Sequence, residues 1–315
     1  MFNLFRKDPR PQVHYRDHNA ILKNITPHFR IAKPERAKAF LLWADSFGPI
    51  RDVAEQGKRL KKPVIVVQHG RASVREYLPP LNYQPIADKI CVWGPRDKDM
   101  MLKAGYGTDR IVLTGAPIFD GIKTERIPHE GTNVLFAPLH WDSEMDENPV
   151  IYEKLASIKG VSVTTKLLQK SHDISRYGKN VVVTTQKDPE LLDKIFNLMK
   201  RTDIVVTNGS GTFDLIAMYF NIPVIFIDNF KPRSFLDTDE KTISEFVKKY
   251  GKPKAVDYTK DLGELGDLIK LNIERPDRLK AEREKELLDC AAIGLISDPV
   301  DRIVKLVTGE IERCS

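Results

Sequence analysis

The chain has 315 residues, 41% of them apolar and 30% charged, a balance that allows two folded cores and excludes a disordered or fibrous protein. Its net charge of +6 favours anionic partners such as nucleotides, phosphorylated acceptors, an anionic membrane face or nucleic acid, although the positive residues are spread along the chain. Cys91, Cys290 and Cys314 show no CxxC spacing, no apolar run reaches the length of a membrane span, and Met1 to Lys7 lacks the apolar core of a secretory signal. A disulfide framework and a structural zinc are therefore not expected, and the chain reads as cytoplasmic, at most peripheral to a membrane.

Residues 10–37 are polar and basic and read as a helix with an irregular lead-in. A strand–helix rhythm starts near residue 38. Ala39 to Ala44 is a strand with Asp45 at its end, and Pro49 to Leu60 a helix. Pro63 to Gln68 is a strand whose unbroken β-branched run suits burial on both faces. It ends in His69-Gly70-Arg71. A His at the carboxyl end of a buried strand, followed by Gly, faces the expected cleft and can take a proton from a hydroxyl at neutral pH; Arg71 beside it can hold a phosphate or an acidic acceptor. Lys89 to Trp93 is the third strand and Arg96 to Ala104 the next helix. Arg110 to Thr114 is the fourth strand, and the small residues Gly115-Ala116-Pro117 after it can line the cleft or serve the turn alone.

A turn-rich segment, Ile127 to Thr132, precedes a second series. Val134 to Ala137 is a strand ending in Pro138-Leu139-His140-Trp141-Asp142, whose polar end faces the cleft from the other side. Pro149 to Ile158 is a helix, Val161 to Leu168 and Asn180 to Thr184 are strands, and Asp188-Pro189 starts a helix with one apolar face. Lys166, on the longer strand, is suited to offsetting the charge of a diphosphate leaving group. Thr202 to Val206 is a buried strand, followed by Thr207-Asn208-Gly209-Ser210-Gly211-Thr212-Phe213-Asp214 and a helix. Small residues at a strand-to-helix turn let a ligand approach the backbone, and the helix start favours an anion, typically a phosphate. Asp214, one turn in, is placed to accept bonds from a ribose. Tight packing alone produces the same pattern. Val224 to Asp228 is the next strand. Arg278 to Lys285 reads as an exposed helix with i,i+4 charge pairs, and two apolar stripes, Leu262 to Ile273 and Val300 to Ile311, complete a helical C-terminal part. There is no DxD at a strand end, no metal-ligand spacing and no Walker lysine, so neither a metal site nor an ATPase is expected.

Alternating strands and helices in two series predict an α/β protein of two facing Rossmann-like domains with C-terminal helices, divided at 1–130, 131–290 and 291–315 (a terminal helix); which half serves an acceptor (1–130) and which a donor (131–290) is implied only by the resemblance that follows. The strand ends Gln68-His69-Gly70, Gly115-x-Pro117-x-x-Asp120, Val134 to Pro138 and Gly209-Ser210-Gly211-x-x-Asp214 together resemble the GT-B transferases and epimerases. They are closest in pattern to the CDP-glycerol glycerophosphotransferase family and the UDP-GlcNAc 2-epimerase group. The chain departs from both: Lys166 to His172 occupies the place of an expected His-Pro, the epimerases' His-x-Glu-Ala-Gly is absent, and the glycerophosphotransferases' Tyr-Ser-Ser is Asn208-Gly209-Ser210.

The resemblance implies a nucleotide-diphosphate donor on the second domain, held by Gly209, Ser210, Gly211, Thr212 and Asp214 with Lys166, Pro138, His140 and Gly115 around it. His69 is then the base, with Asp45 in reserve. The reaction expected is metal-independent and cofactor-free transfer of a sugar to an acceptor hydroxyl. Polyol-phosphate transfer, 2-epimerisation of a UDP-sugar and non-catalytic binding of nucleotide or nucleic acid are the alternatives. The acceptor can be a glycan, an anionic polymer, a membrane-associated intermediate or modified DNA.

Overall fold

The computed structural model describes residues 10–15, 24–45, 48–70, 86–103, 105–138, 148–168, 173–185, 188, 190–208, 211–227, 248 and 253–314. Its strands come from the short β-branched runs. In the first half they are β1 (Gln12–Tyr15), β2 (Arg30–Ile31), β3 (Ala39–Leu42), β4 (Val64–Val67), β5 (Lys89–Val92) and β6 (Ile111–Leu113). They form one parallel sheet in the order β2-β1-β3-β4-β5-β6. In the second half β7 (Thr132–Phe136), β8 (Val161–Leu168), β9 (Val181–Thr184), β10 (Ile204–Thr207), β11 (Val224–Ile227) and β12 (Asp257–Thr259) form a second parallel sheet, ordered β12-β11-β10-β7-β8-β9. The helices among the described residues are α1 (Gly48–Arg59), α2 (Pro95–Lys103), α3 (Asn148–Ala156), α4 (Leu191–Met199), α5 (Thr212–Tyr219), α6 (Leu265–Glu274), α7 (Lys280–Ala291) and α8 (Pro299–Arg313).

Parallel strands must be covered on both faces, and the period-two alternation of each strand divides its residues between two cores. Phe40, Val64, Val66, Ile90 and Val92 pack under α1 and α2. Their neighbours Ala39, Leu41, Ile65, Val67 and Cys91 pack under Val300, Ile303, Val307 and Ile311 of α8, so the end of the chain covers the sheet made at its beginning. Burial pushes the Cys91 thiol up to about 12, which leaves it an inert core residue. In the second sheet Val134, Phe136, Ile204 and Val206 face α3 and α6, while Leu135, Val205 and Val224 face α4 and α5. That last core also takes in Trp93, Ile118 and Phe119 from the first half and Leu287, Cys290 and Ala291 of α7.

Helix α7 is what joins the halves, lying against both α2 and α5. A Cβ on Gly94 would fall 2.2 Å from the Asp289 carbonyl oxygen, so only Gly allows this approach. Arg96 of α2 and Glu286 of α7 form an ion pair of 3.1 Å, both largely buried. The charge pattern of Arg278 to Lys285 predicts an exposed helix, and Arg283 departs from it: the side chain is 2% exposed. Its guanidinium donates to Asn221 Oδ1 (2.7 Å) and to the Pro276 carbonyl (2.7 Å), which offset its burial. Residues 10–37 also differ from the expected helix. Gln12–Tyr15 pairs with β3, and the described remainder is β2 and 3-10 turns, because an already formed strand edge outweighs weak local preference. No helix among the described residues is long and apolar enough to cross a membrane.

Candidate active site

The carboxyl ends of the two sheets meet. A Cβ on Gly70, just past β4, would lie 2.6 Å from Thr212 Oγ1 at the first position of α5, so the two halves touch where a side chain on the first would block the contact. His69 precedes this point. Its ring lies edge-on to Trp43, past the end of the adjacent β3, with centroids 4.6 Å apart and planes at 74°.

Gln68 holds the His69 segment. It is 4% exposed; its Nε2 donates to the Gly70 carbonyl (2.7 Å) and to Asp97 Oδ2 (2.6 Å), and its Oε1 accepts from the Trp93 N–H (2.8 Å). Three hydrogen bonds to a buried amide fix the backbone on both sides of the imidazole. Asp45 stands at the end of β3, beside the strand of His69, but its carboxylate is bound into the frame. Oδ2 accepts from the N–H groups of Ile86 (2.9 Å) and Ala87 (2.8 Å), and Oδ1 accepts from the Tyr106 hydroxyl (3.0 Å). These bonds give it the work of holding the lead-in to β5.

Across the cleft, the Thr207 hydroxyl donates to the Ala137 carbonyl (2.9 Å), and Asn208 Nδ2 donates to Asn148 Oδ1 (2.7 Å) between two buried amides. These bonds set the turn from β10 to α5 against β7 and the start of α3. Pro138, half-buried, follows β7 on the same edge. At the helix start Gly211 is the N-cap, and its N–H donates to Asp214 Oδ1 at 2.7 Å. The buried Asp214 carboxylate thus reaches back over its own first turn, in the manner of a capping box. A helix start of this kind carries the positive end of the helix dipole.

Lys166 reaches the same helix start from β8. Val163 and Leu167 turn to the core under α3 and α6. Lys166 turns the other way and sets its Nζ 5.7 Å from the centroid of the Phe213 ring. Desolvation lowers its pKa from 10.5 to about 8. It has no carboxylate partner among the described residues, so an anion arriving there meets an unneutralised charge.

No protein-family model matches the chain, and no curated protein sequence matches it. Solved structures do. A variant of the wall teichoic acid polymerase TagF soaked with CDPG is 12% identical to the chain, with 98% of this chain and 90% of that one covered at a TM-score of 0.64. The MnaA–UDP structure from S. aureus is 14% identical, covering 92% of this chain and 79% of that one at 0.57. UDP-GlcNAc 2-epimerase from Neisseria meningitidis, bound to UDP-GlcNAc, is 12% identical, covering 87% and 76% at 0.53.

The chain has the GT-B fold. Within it, His69, Gly70, Thr212, Gly211, Asp214 and Lys166 gather at the facing carboxyl edges. Gly115 stands apart from them: with φ +82 it packs against Ile296 and Pro299, where the chain returns to the first sheet. Arg71, His140, Gly209 and Ser210 lie outside the described residues. Trp43 and Gln68 make contacts around His69 that the motif reading does not assign. For Gln68 there is a signal, a long amide placed directly after four buried β-branched residues, where it must find partners inside the fold. Among the described residues no group of three or more His, Cys, Asp or Glu is arranged to hold a metal ion.

Proposed function

We propose that this chain is a GT-B transferase that moves a sugar from a nucleotide-diphosphate donor to an acceptor hydroxyl. The observation that carries the reading is the meeting of Gly70 with Thr212, which brings a strand-end imidazole and an anion-attracting helix start into one cleft. In this reading His69 accepts the proton of the acceptor hydroxyl, and the oxygen attacks the anomeric carbon as its bond to the diphosphate breaks. Lys166 and the α5 N–H groups receive the negative charge of the leaving diphosphate, and Asp214 bonds the ribose. These groups meet the leaving-group charge without a metal, so activity is expected to survive EDTA. Loss of activity in EDTA with recovery in Mg²⁺ or Mn²⁺ would contradict this part.

A second reading, polyol-phosphate transfer from a CDP-linked donor, is favoured by the likeness to TagF. Incubation with UDP-, CDP-, GDP- and ADP-linked donors, with and without acceptors, separates the possibilities. Acceptor-dependent release of nucleoside diphosphate supports sugar transfer, and release of CMP from CDP-glycerol supports the second reading. Isomerised donor without acceptor identifies an epimerase. Saturable nucleotide binding without turnover of any donor leaves a binding protein. A thermal-shift panel of the four nucleoside diphosphates chooses the donor first, since a ligand at 100 times its Kd stabilises a fold by about 2.7 kcal/mol.

A further inference from the structure

The chain passes between the two sheets twice, outward after β6 and back after α7. The two passages line a second cavity of about 230 Å³, half open to solvent. The outgoing segment contributes Phe119 and Asp120, the returning one Ile293, Ile296 and Ser297, and the last residue of α5, Tyr219, closes one side. None of the cleft residues His69, Gly70, Thr212 or Lys166 lines it.

The lining has a definite chemical character. The Phe119 and Tyr219 rings are stacked, with centroids 4.5 Å apart and planes 30° from parallel. The Tyr219 hydroxyl is held on the main chain, donating to the Ile122 carbonyl at 3.3 Å. Burial pushes the Tyr219 hydroxyl pKa up, and the negative charge of Asp120 adds to that rise. Asp120 has no basic partner among the described residues. Ser297 donates its hydroxyl proton to Asp298 Oδ2 (2.5 Å), which leaves its lone pairs to accept. The wall therefore offers a carboxylate, a hydroxyl acceptor and a pair of aromatic rings, and no cationic side chain. Sites for drug-sized ligands span about 300–1,000 Å³, so this cavity suits a smaller molecule than a nucleotide.

We infer that this cavity is a binding site for a small organic cation, an ammonium group on a short apolar body, with its charge against Asp120 and its body against Phe119 and Tyr219. Carboxylate and aromatic faces recognise such a cation together, the first by charge and the second through the ring quadrupole. An occupant touches both passages at once and ties the outgoing segment to the returning one.

The test is calorimetric titration of the full chain with benzylammonium chloride, and with sodium benzoate at equal ionic strength. The titration contains no nucleotide, so its outcome is separate from that of the transferase reading. Expected are saturable one-to-one binding of benzylammonium, none of benzoate, and at least tenfold weaker binding in Asp120→Asn. Ile296→Phe, which fills the cavity and keeps it apolar, is expected to abolish binding with the melting transition retained, and Lys166→Met to leave it unchanged. Absence of saturable binding, equal binding of benzoate, or undiminished binding in Asp120→Asn or in a folded Ile296→Phe protein would each overturn the inference.

Discussion

The two facing strand ends are built in different ways. The first presents a side chain: His69 stands between Trp43 and a backbone fixed by the buried Gln68 amide, with Asp45 and Asp97 bound into the frame behind it. The second presents backbone and one loose charge: the first turn of α5, closed by Asp214, with Lys166 reaching over Phe213. Fixed side-chain geometry suits proton transfer, which depends on position. An unneutralised cation beside a helix start suits a diffuse anionic charge, which depends on field. Under the proposed function, changes at the first end should act on turnover alone, and changes at the second should reach donor affinity as well.

His69→Ala is expected to cause the largest loss. A positioned base contributes about 10²–10⁴-fold in rate, so turnover should fall by that range while calorimetry shows donor affinity nearly unchanged. A drop in melting temperature with full turnover per folded molecule would make His69 a structural residue.

Lys166→Met keeps the apolar stem and removes the charge. Loss of a group stabilising developing negative charge costs about 10²–10³-fold, and here donor affinity should weaken as well. The ammonium titrates at about 8, so donor affinity in the intact chain should fall as pH rises through that value and stay flat in the variant. Stability moves the opposite way. The folded state holds this proton less tightly than the unfolded chain, whose Lys titrates near 10.5, so the penalty of the buried charge is fully present below about 8. It is lost between about 8 and 10.5, and the intact chain should gain stability relative to Lys166→Met across that window in denaturant titrations.

Gly70→Ala attacks the contact between the two ends. Its new methyl group would sit 2.6 Å from Thr212 Oγ1 but 3.9 Å from Thr212 Cβ. Turnover should fall with little loss of stability, and adding Thr212→Ala should restore much of it. A double variant no better than the single one would show that the contact is not what matters. Asp214→Ala is the mildest change. It removes a capping bond, at a cost of about 0.5–2 kcal/mol by comparison with other helix caps, and should weaken nucleotide binding in calorimetry. Unchanged affinity would restrict Asp214 to its capping role.

The strands that carry these residues are legible in the sequence because their β-branched runs are buried on both faces, as Val64 to Val67 shows. The strand–turn–helix at Thr207 to Asp214 is legible for the same reason, the run Ile204 to Val206 being followed by small residues. Short strands with polar members, Gln12–Tyr15 and Asp257–Thr259, are not legible, since pairing with a formed sheet decides them. Gly94 lies between a strand and a helix start, and the reason for a glycine there, the Asp289 carbonyl, lies far along the chain. Arg283 reads as surface because its acceptors, Asn221 and Pro276, come from outside its helix. At the candidate site, residue type at a strand position is what singles out His69 and Lys166 in the sequence, and the structure sets both at the facing strand ends. The structural bonds of Asp45 and Asp214 depend on partners that no spacing reveals.

The packing of α8 on the first sheet sets an order in time. Val13 and Ile311 belong to one core, and contacts so distant along a chain form slowly. During synthesis the residues of the first sheet emerge before Val300, Ile303, Val307 and Ile311, so one face is covered only in part, by Ile25 and Phe29, until these are made. The second sheet receives its covering helices α3 to α6 before that. The half that is translated first is the half whose last covering helix is made last. Until it is made, Ala39, Leu41, Ile65 and Val67 form an apolar strip open to chaperones and to other nascent chains.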